Sequence, residues 1–362
     1  MAYLTLFSFT IIIFSFIKDN NKIKNMNVDL PFIFLVTIMF ILFYGLRYNV
    51  GIDYMTYYNN AANKIYDLPQ KGTGELFEPA FRLLYRIADF FDLPSNTIFI
   101  FGGAIIYIFL VLACLENSIN IGFSIFIFFS SGLFFFSFNE FRQFIAVCII
   151  FYAYKYCIRK KFFIWILHVF IAMLFHKSAF VVFPMYFLCN IRYKKVFINL
   201  LLLSTIILKR IGVLSILCLI LSFLPPPYCN YWEVLPYMIT EGGSGIVGYC
   251  YIIIALFINN LLGKEQELSQ KDNFFFNLFI FSTMFLNIFS NIYMITRLME
   301  YYFTSILIIY PFFYKASKKG LYKYIFFILM TLFFFINFSK YAFFPPSTSK
   351  LTYHTVFSKP LK

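Results

Sequence analysis

Five residues of this 362-residue sequence have types and positions that could do chemistry: Arg47, Asp53, Arg142, His176 and Arg297. Each stands at the end of an apolar segment. Ionisable groups at membrane depth are costly enough to be functional candidates by default. Arginines gathered at one depth, without matching acids beside them in sequence, call for an anion. A planar guanidinium can hold two phosphate oxygens at once, so a lipid-linked diphosphate suits them. Histidine titrates near neutral pH and aspartate is ionised there, so His176 or Asp53 could take the proton of an attacking hydroxyl or orient it. Plainer roles stand beside these. An arginine at a helix end can snorkel to headgroups, Arg142 could pair with Glu140, and Arg47 with Asp53. Arg297 and Glu300 lie at helical pair spacing, and His176 could be a satisfied interfacial histidine.

The segments that must position these residues read as membrane helices. The chain is 61% hydrophobic, 23% aromatic and only 13% charged, more apolar than a soluble globular protein needs. Apolar stretches without charge run at about 2–17, 31–46, 98–115, 122–138, 143–158 and 162–176. Others run at about 246–262, 273–292, 299–314 and 324–340. Pro31 is expected to open the second. Arg142 and His176 stand at the two ends of a hairpin turning at Arg159-Lys160-Lys161. Its returning leg and the one after are short for a bilayer, at about 1.5 Å per residue, which predicts a recessed His176. The stretch 196–245, interrupted by Lys209-Arg210, must cross an odd number of times. The expectation is an all-α polytopic membrane protein of about 12 transmembrane helices, as one domain over 1–340 with a tail at 341–362.

Charge gives the orientation. The net charge is +14, which in a soluble chain would suggest nucleic acid. Here Lys and Arg crowd the turns at 18–24, 159–161, 192–195, 264–271 and 315–323, which marks these as cytoplasmic. The tight turns on the other side hold only Arg142, Lys177 and Arg297. All five candidates therefore fall at the outer ends. The outer loop 47–97 carries an amphipathic stretch from Glu78 to Asp92, expected to lie in the membrane interface. Glu78/Arg82 and Arg86/Asp89 stand in it at pair spacing. The seven cysteines form no C-x-x-C, no metal spacing is present, and no P-loop motif occurs. Neither metal, cofactor nor nucleic acid is expected.

Four stretches resemble the EpsG family, which is related to the Wzy-type repeat-unit polymerases of O-antigen and capsule. They are LRYNVGIDYMTYY, FEPAFRLLYRI, the run from FNEFRQFIAV through YKYCIRKKFFIW to LFHKSAFVVFPMYFL, and NIYMITRLMEYYFTSILIIYP. The resemblance covers most of 1–340. It implies an architecture similar to C-type glycosyltransferases and the joining of oligosaccharide repeat units carried on undecaprenyl diphosphate. That reaction would run at the outer face of a bacterial cell membrane (the inner one in a Gram-negative cell), as a metal-independent glycosyltransfer. A chain-length regulator and a flippase of the same pathway are the further partners implied, with membrane lipid around them. The site residues implied are Arg47, Arg142 and Arg297 for the substrate, and His176, Asp53 and Arg142 for catalysis. Two other readings remain open on the residues alone, a lipid-linked oligosaccharide flippase and a polysaccharide O-acyltransferase.

Overall fold

In lipid every backbone N–H and C=O must be satisfied within its own segment, so long apolar runs become helices. The computed structural model describes residues 2–15, 26–69, 76–211, 245–261, 268–290, 292–316, 320–344 and 350–358. In chain order its helices are α1 (Ala2–Ser15), α2 (Met26–Gly45), α3 (Tyr54–Ala62), α4 (Pro79–Phe90), α5 (Thr97–Asn117) and α6 (Ile121–Ser130). Then come α7 (Leu133–Asn139), α8 (Phe141–Ile158), α9 (Phe162–Met173), a 3-10 turn (Lys177–Val182), α10 (Met185–Leu188) and α11 (Lys195–Ile211). The last are α12 (Gly245–Leu261), α13 (Gln270–Ile288), α14 (Tyr293–Leu298), α15 (Glu300–Phe303), α16 (Ile306–Ala316) and α17 (Leu321–Phe343).

The protein is an all-helical polytopic membrane protein. Among the described residues its β pairing is one isolated bridge, Arg47 with Thr355. Among the described residues three helices are long and apolar enough to cross a membrane: Thr97–Asn117, Phe141–Ile158 and Lys323–Phe343. A fourth span is possible in the pair α6 and α7, which bends by 57°. The expected single helix at 122–138 is thus broken, at Gly132, whose φ of +97° leaves the helical region. The second helix begins at Met26 rather than at Pro31, which is accommodated inside it. The expected count of about 12 is not reached by these length and hydropathy criteria. Much of 196–245, on which the parity of that count depended, lies outside the described residues.

The chain forms two compact units, Met1–Phe183 with Tyr310–Lys362, and Pro184–Ile309. In the first, α8 packs on α5 and α9, and α5 packs on α2. Helix α8 is apolar all round, and a helix of that kind belongs inside. Only Arg142, Tyr152, Tyr156 and Ile158 of it are not fully buried. Gly102 on α5 makes the contact with α8 close, since a Cβ there would stand 2.2 Å from the Phe141 ring.

One end of this unit is laced together. Tyr44 Oη donates to the Ser137 carbonyl at 2.5 Å, and Ile52 N donates to Asn139 Oδ1 at 3.1 Å. The segment 350–356 comes back over the same end. Tyr48 N donates to His354 O at 2.8 Å, Gly51 N to Lys350 O at 2.9 Å, and Val356 N to Leu46 O at 2.9 Å. Tyr3 Oη donates to Leu351 O at 2.6 Å, and the Tyr353 ring stacks on Phe43 with centroids 4.0 Å apart. This is the end that the basic loops assign to the outside. In the second unit α11, α12 and α13 pack on one another.

Candidate functional site

Arg142 is the second residue of α8, where the positive end of the helix dipole disfavours a cation. The residues of the first turn offer no acid. The compensation comes from Glu78, a loop residue 64 positions earlier, whose Oε2 forms an ion pair with Arg142 Nη1. Glu78 caps the start of α4, ahead of Pro79, yet its side chain makes no capping hydrogen bond. Its carboxylate turns to Arg142 instead, and only 8% of that side chain is exposed. Arg142 Nε donates to Tyr57 Oη at 3.3 Å, and the guanidinium carbon lies 4.9 Å from the Phe77 ring centre. The Arg142 side chain keeps 20% of its exposure. So Glu78 is the partner, not the neighbouring Glu140. The acid that pairs with Arg142 comes from a distant loop, brought there by the fold.

Glu78 also ties in the turn carrying His176. Its Oε1 accepts from Lys177 N at 3.5 Å, the long limit of a hydrogen bond. Ala80 N donates to Leu174 O at 2.9 Å, which fixes the start of α4 against the end of α9. His176 is half-buried and caps the 3-10 turn: its Nδ1 accepts from Ser178 N at 3.3 Å, and Ser178 Oγ is 2.7 Å from it. An imidazole that accepts at Nδ1 carries its neutral-form proton on Nε2. The ring can therefore donate from Nε2. The proton-accepting nitrogen expected of a base is occupied by the cap.

Asp53 caps the start of α3 without a side-chain capping bond and is half-buried. One turn on, Tyr57 N donates to the Asp53 carbonyl at 3.2 Å. Asp53 and the tyrosine that holds Arg142 thus share a helical turn.

Arg47 is placed differently from the expected substrate ligand. It is 0% exposed. Its guanidinium carbon lies over the rings of Tyr44 at 3.7 Å, Phe99 at 4.7 Å and Phe138 at 4.9 Å. Nη1 donates to Tyr44 O at 3.3 Å, while Nε and Nη2 are buried without a hydrogen bond. It pairs with no acid among the described residues, so the expected Arg47–Asp53 pair is absent. Cation–π attraction from several rings replaces it. The guanidinium is thus enclosed by rings rather than set at an open surface.

Arg297 belongs to the second unit, half-buried in the last turn of α14 with Glu300 opening α15. Of the five candidates, Arg142 pairs with Glu78, which also accepts from Lys177 N beside His176, while Asp53 lies one helical turn before the Tyr57 that holds Arg142. Sequence reasoning missed Glu78 and Tyr57 as partners, because their contacts span 64 and 85 positions. It also passed over Lys209 in the second unit. There Lys209 Nζ donates to Ser290 Oγ at 2.8 Å and lies 5.0 Å from the Tyr249 ring centre.

The local pairs expected on α4 are also rearranged. Arg82 and Arg86 both reach Asp67, at 3.4 Å and 3.1 Å. Asp89 pairs with Lys64 and accepts from Tyr66 Oη at 3.0 Å. These contacts hold its carboxyl below the usual carboxylate range, the Lys64 hydrogen bond most. Exposed helical pairs contribute only a few tenths of a kcal/mol, roughly 0.2–0.5, so loop ties displace them readily.

The sequence profile of the EpsG family matches residues 30–355. The chain belongs to the EpsG family. That makes it a member of a Wzy-like polymerase family with a role in polysaccharide biosynthesis. The EpsG match runs past residue 340, through the Thr355 that pairs with Arg47. The segment that sequence reading set aside as a tail is therefore largely family territory. No curated protein and no solved structure matches the chain.

Proposed function

We propose that this protein polymerises oligosaccharide repeat units carried on undecaprenyl diphosphate, at the outer face of a bacterial membrane. The observation that carries the reading is the group Arg142, Glu78 and Tyr57, with the turn of His176 tied to it through Lys177 N, in a member of the EpsG family. The reaction is glycosyl transfer. A hydroxyl of one lipid-linked unit attacks the anomeric carbon of another. The bond from that carbon to the diphosphate oxygen breaks, and the diphosphate leaves with the electron pair.

A diphosphate leaving group is already activated, so the protein must chiefly stabilise the negative charge it gains. Arg142 has two edges committed, to Glu78 and Tyr57, which fixes the plane of the guanidinium. Its Nη2 faces the substrate in this reading. The Nε2–H of His176 is the second donor. Asp53 is the candidate base for the attacking hydroxyl. Arg47 is removed from the substrate ligands and kept as the residue that holds the loop.

The test is a deletion strain whose surface glycan is run on a gel. A polymerase mutant leaves single repeat units at the surface, whereas loss of a flippase leaves none. Loss of an O-acyltransferase leaves full-length chains lacking acyl groups. Full ladders or empty lanes in the deletion strain would refute the polymerase.

A further inference from the structure

The outer loop of the first unit encloses a cavity that the transfer step does not use. Its volume is about 130 Å³, and it opens between the end of α3, the end of α4 and the start of α5. Tyr85, Ala88 and Ile98 give it an apolar side, and Lys64, Asp89 and Asp92 give it a charged one. Tyr66 stacks flat on Tyr85, with centroids 5.1 Å apart and planes 3° from parallel. Asp89 is held by both Lys64 and Tyr66 Oη. The polar edge is therefore set in place before any ligand arrives.

The charge of this lining selects its ligand. Two carboxylates against one ammonium repel a phosphate, so the cavity is no second diphosphate site. Carboxylates accept hydrogen bonds from hydroxyl or ammonium groups, an ammonium donates to hydroxyl oxygens, and small apolar side chains suit a C–H face. A neutral or amino-bearing sugar ring has all of these features. Position agrees with this. Tyr85 Oη donates to the Tyr57 carbonyl at 3.2 Å, and the Tyr57 hydroxyl receives Arg142. A single tyrosine thus stands between the cavity wall and the residue assigned to the leaving group.

We propose that this cavity is a glycan subsite, which holds one sugar ring of a lipid-linked unit beside the ring that reacts. The source of that sugar rests on the polymerase reading. The probe is the lipid-free repeat-unit oligosaccharide, released by mild acid from the carrier of the producing strain. Its binding to the purified full-length protein is followed by saturation-transfer NMR and calorimetry. Wild type should bind it, inorganic diphosphate should not displace it, and Ser95→Trp should abolish binding by filling the cavity. Asp92 is exposed, with φ +48°, a conformation asparagine tolerates. Asp92→Asn should therefore fold normally and weaken binding about tenfold, the loss of one good contact of about 1.4 kcal/mol. Arg142→Lys should bind the oligosaccharide as wild type does. If the deletion strain keeps full ladders while Asp92→Asn still binds the oligosaccharide weakly, the polymerase reading fails and the subsite stands. No binding by wild type, or equal affinity in Asp92→Asn, would overturn the subsite.

Discussion

Arg142 and Arg47 are the same side chain in opposite circumstances. Arg142 has an acid, a phenol and a partly open face; Arg47 has only rings and one carbonyl. Lysine in place of Arg142 keeps the charge but cannot span Glu78 and Tyr57 while presenting a third nitrogen. Arg142→Lys should lose roughly a hundred- to thousand-fold in polymerisation rate, the usual cost of one leaving-group donor. Proteoliposome assays with lipid-linked substrate measure it, and an undiminished rate would return Arg142 to a structural role. Arg47→Ala should act on stability instead. Emptying a packed ring cage costs on the order of 3–5 kcal/mol, as loss of a core aromatic does. Thermal melting in detergent should fall sharply, and whatever folded protein remains should keep its rate per molecule. His176 allows a cleaner separation. Asparagine can still accept the Ser178 N–H as a cap but has no equivalent of Nε2. His176→Asn should melt like wild type and polymerise poorly; normal ladders would confine the histidine to capping.

At the scale of elements, what could be read in the sequence was periodicity and charge, and what could not was long-range pairing. The amphipathic run from Glu78 to Asp92 appears as α4, Pro79–Phe90. The stripe expected from spacing, Ala80, Phe81, Leu83, Leu84, Ile87 and Phe91, is not the face that the fold buries. Phe81, Tyr85 and Ala88 are buried in the protein, while Leu83, Ile87 and Phe90 remain exposed on the flank. Spacing locates a stripe but does not tell protein from lipid as its cover. Glu78 looked like a local partner of Arg82 because both stand one turn apart. Only the folded loop brings Arg142, a half-buried cation at a helix start, within reach as the stronger competitor. The block RYNVGIDY was recognisable, but its reason was not. Gly51 has φ +102°, and a Cβ there would stand 2.2 Å from the Phe138 carbonyl oxygen. Gly51→Ala should cost more than about 1 kcal/mol, beyond the gain from a stiffer unfolded chain. A lowered melting temperature is the readout, and an unchanged one would mean that α7 can move away from the loop.

For the whole molecule, the basic loops and the folded geometry can be compared without a membrane. Tyr3, Leu46, Ile52, Asn139, Leu351 and Val356 were all assigned outside by charge, and they bond in pairs, Tyr3 with Leu351, Ile52 with Asn139 and Val356 with Leu46, at one end of the first unit. Arg159 and Glu116, assigned inside, pair with each other. In intact cells, with native cysteines replaced, Asp92→Cys should react with an impermeant maleimide. Lys160→Cys should react only after permeabilisation. The reverse pattern would invert the molecule and place the proposed site in the cytoplasm.

The bridge between Arg47 and Thr355 also has a consequence in time. The loop after α2 leaves the ribosome about 300 residues before the segment that covers it. At about 5–20 residues per second, that is a wait of tens of seconds. Throughout that interval Tyr48 and Gly51 lack the carbonyls of His354 and Lys350, and Tyr3 lacks its acceptor on Leu351. Insertion of the early helices and completion of this end of the unit are therefore separate events. A nascent chain released before residue 350 would be inserted but unfinished there. Membrane quality-control proteases could recognise that open edge while the rest of the bundle is already native.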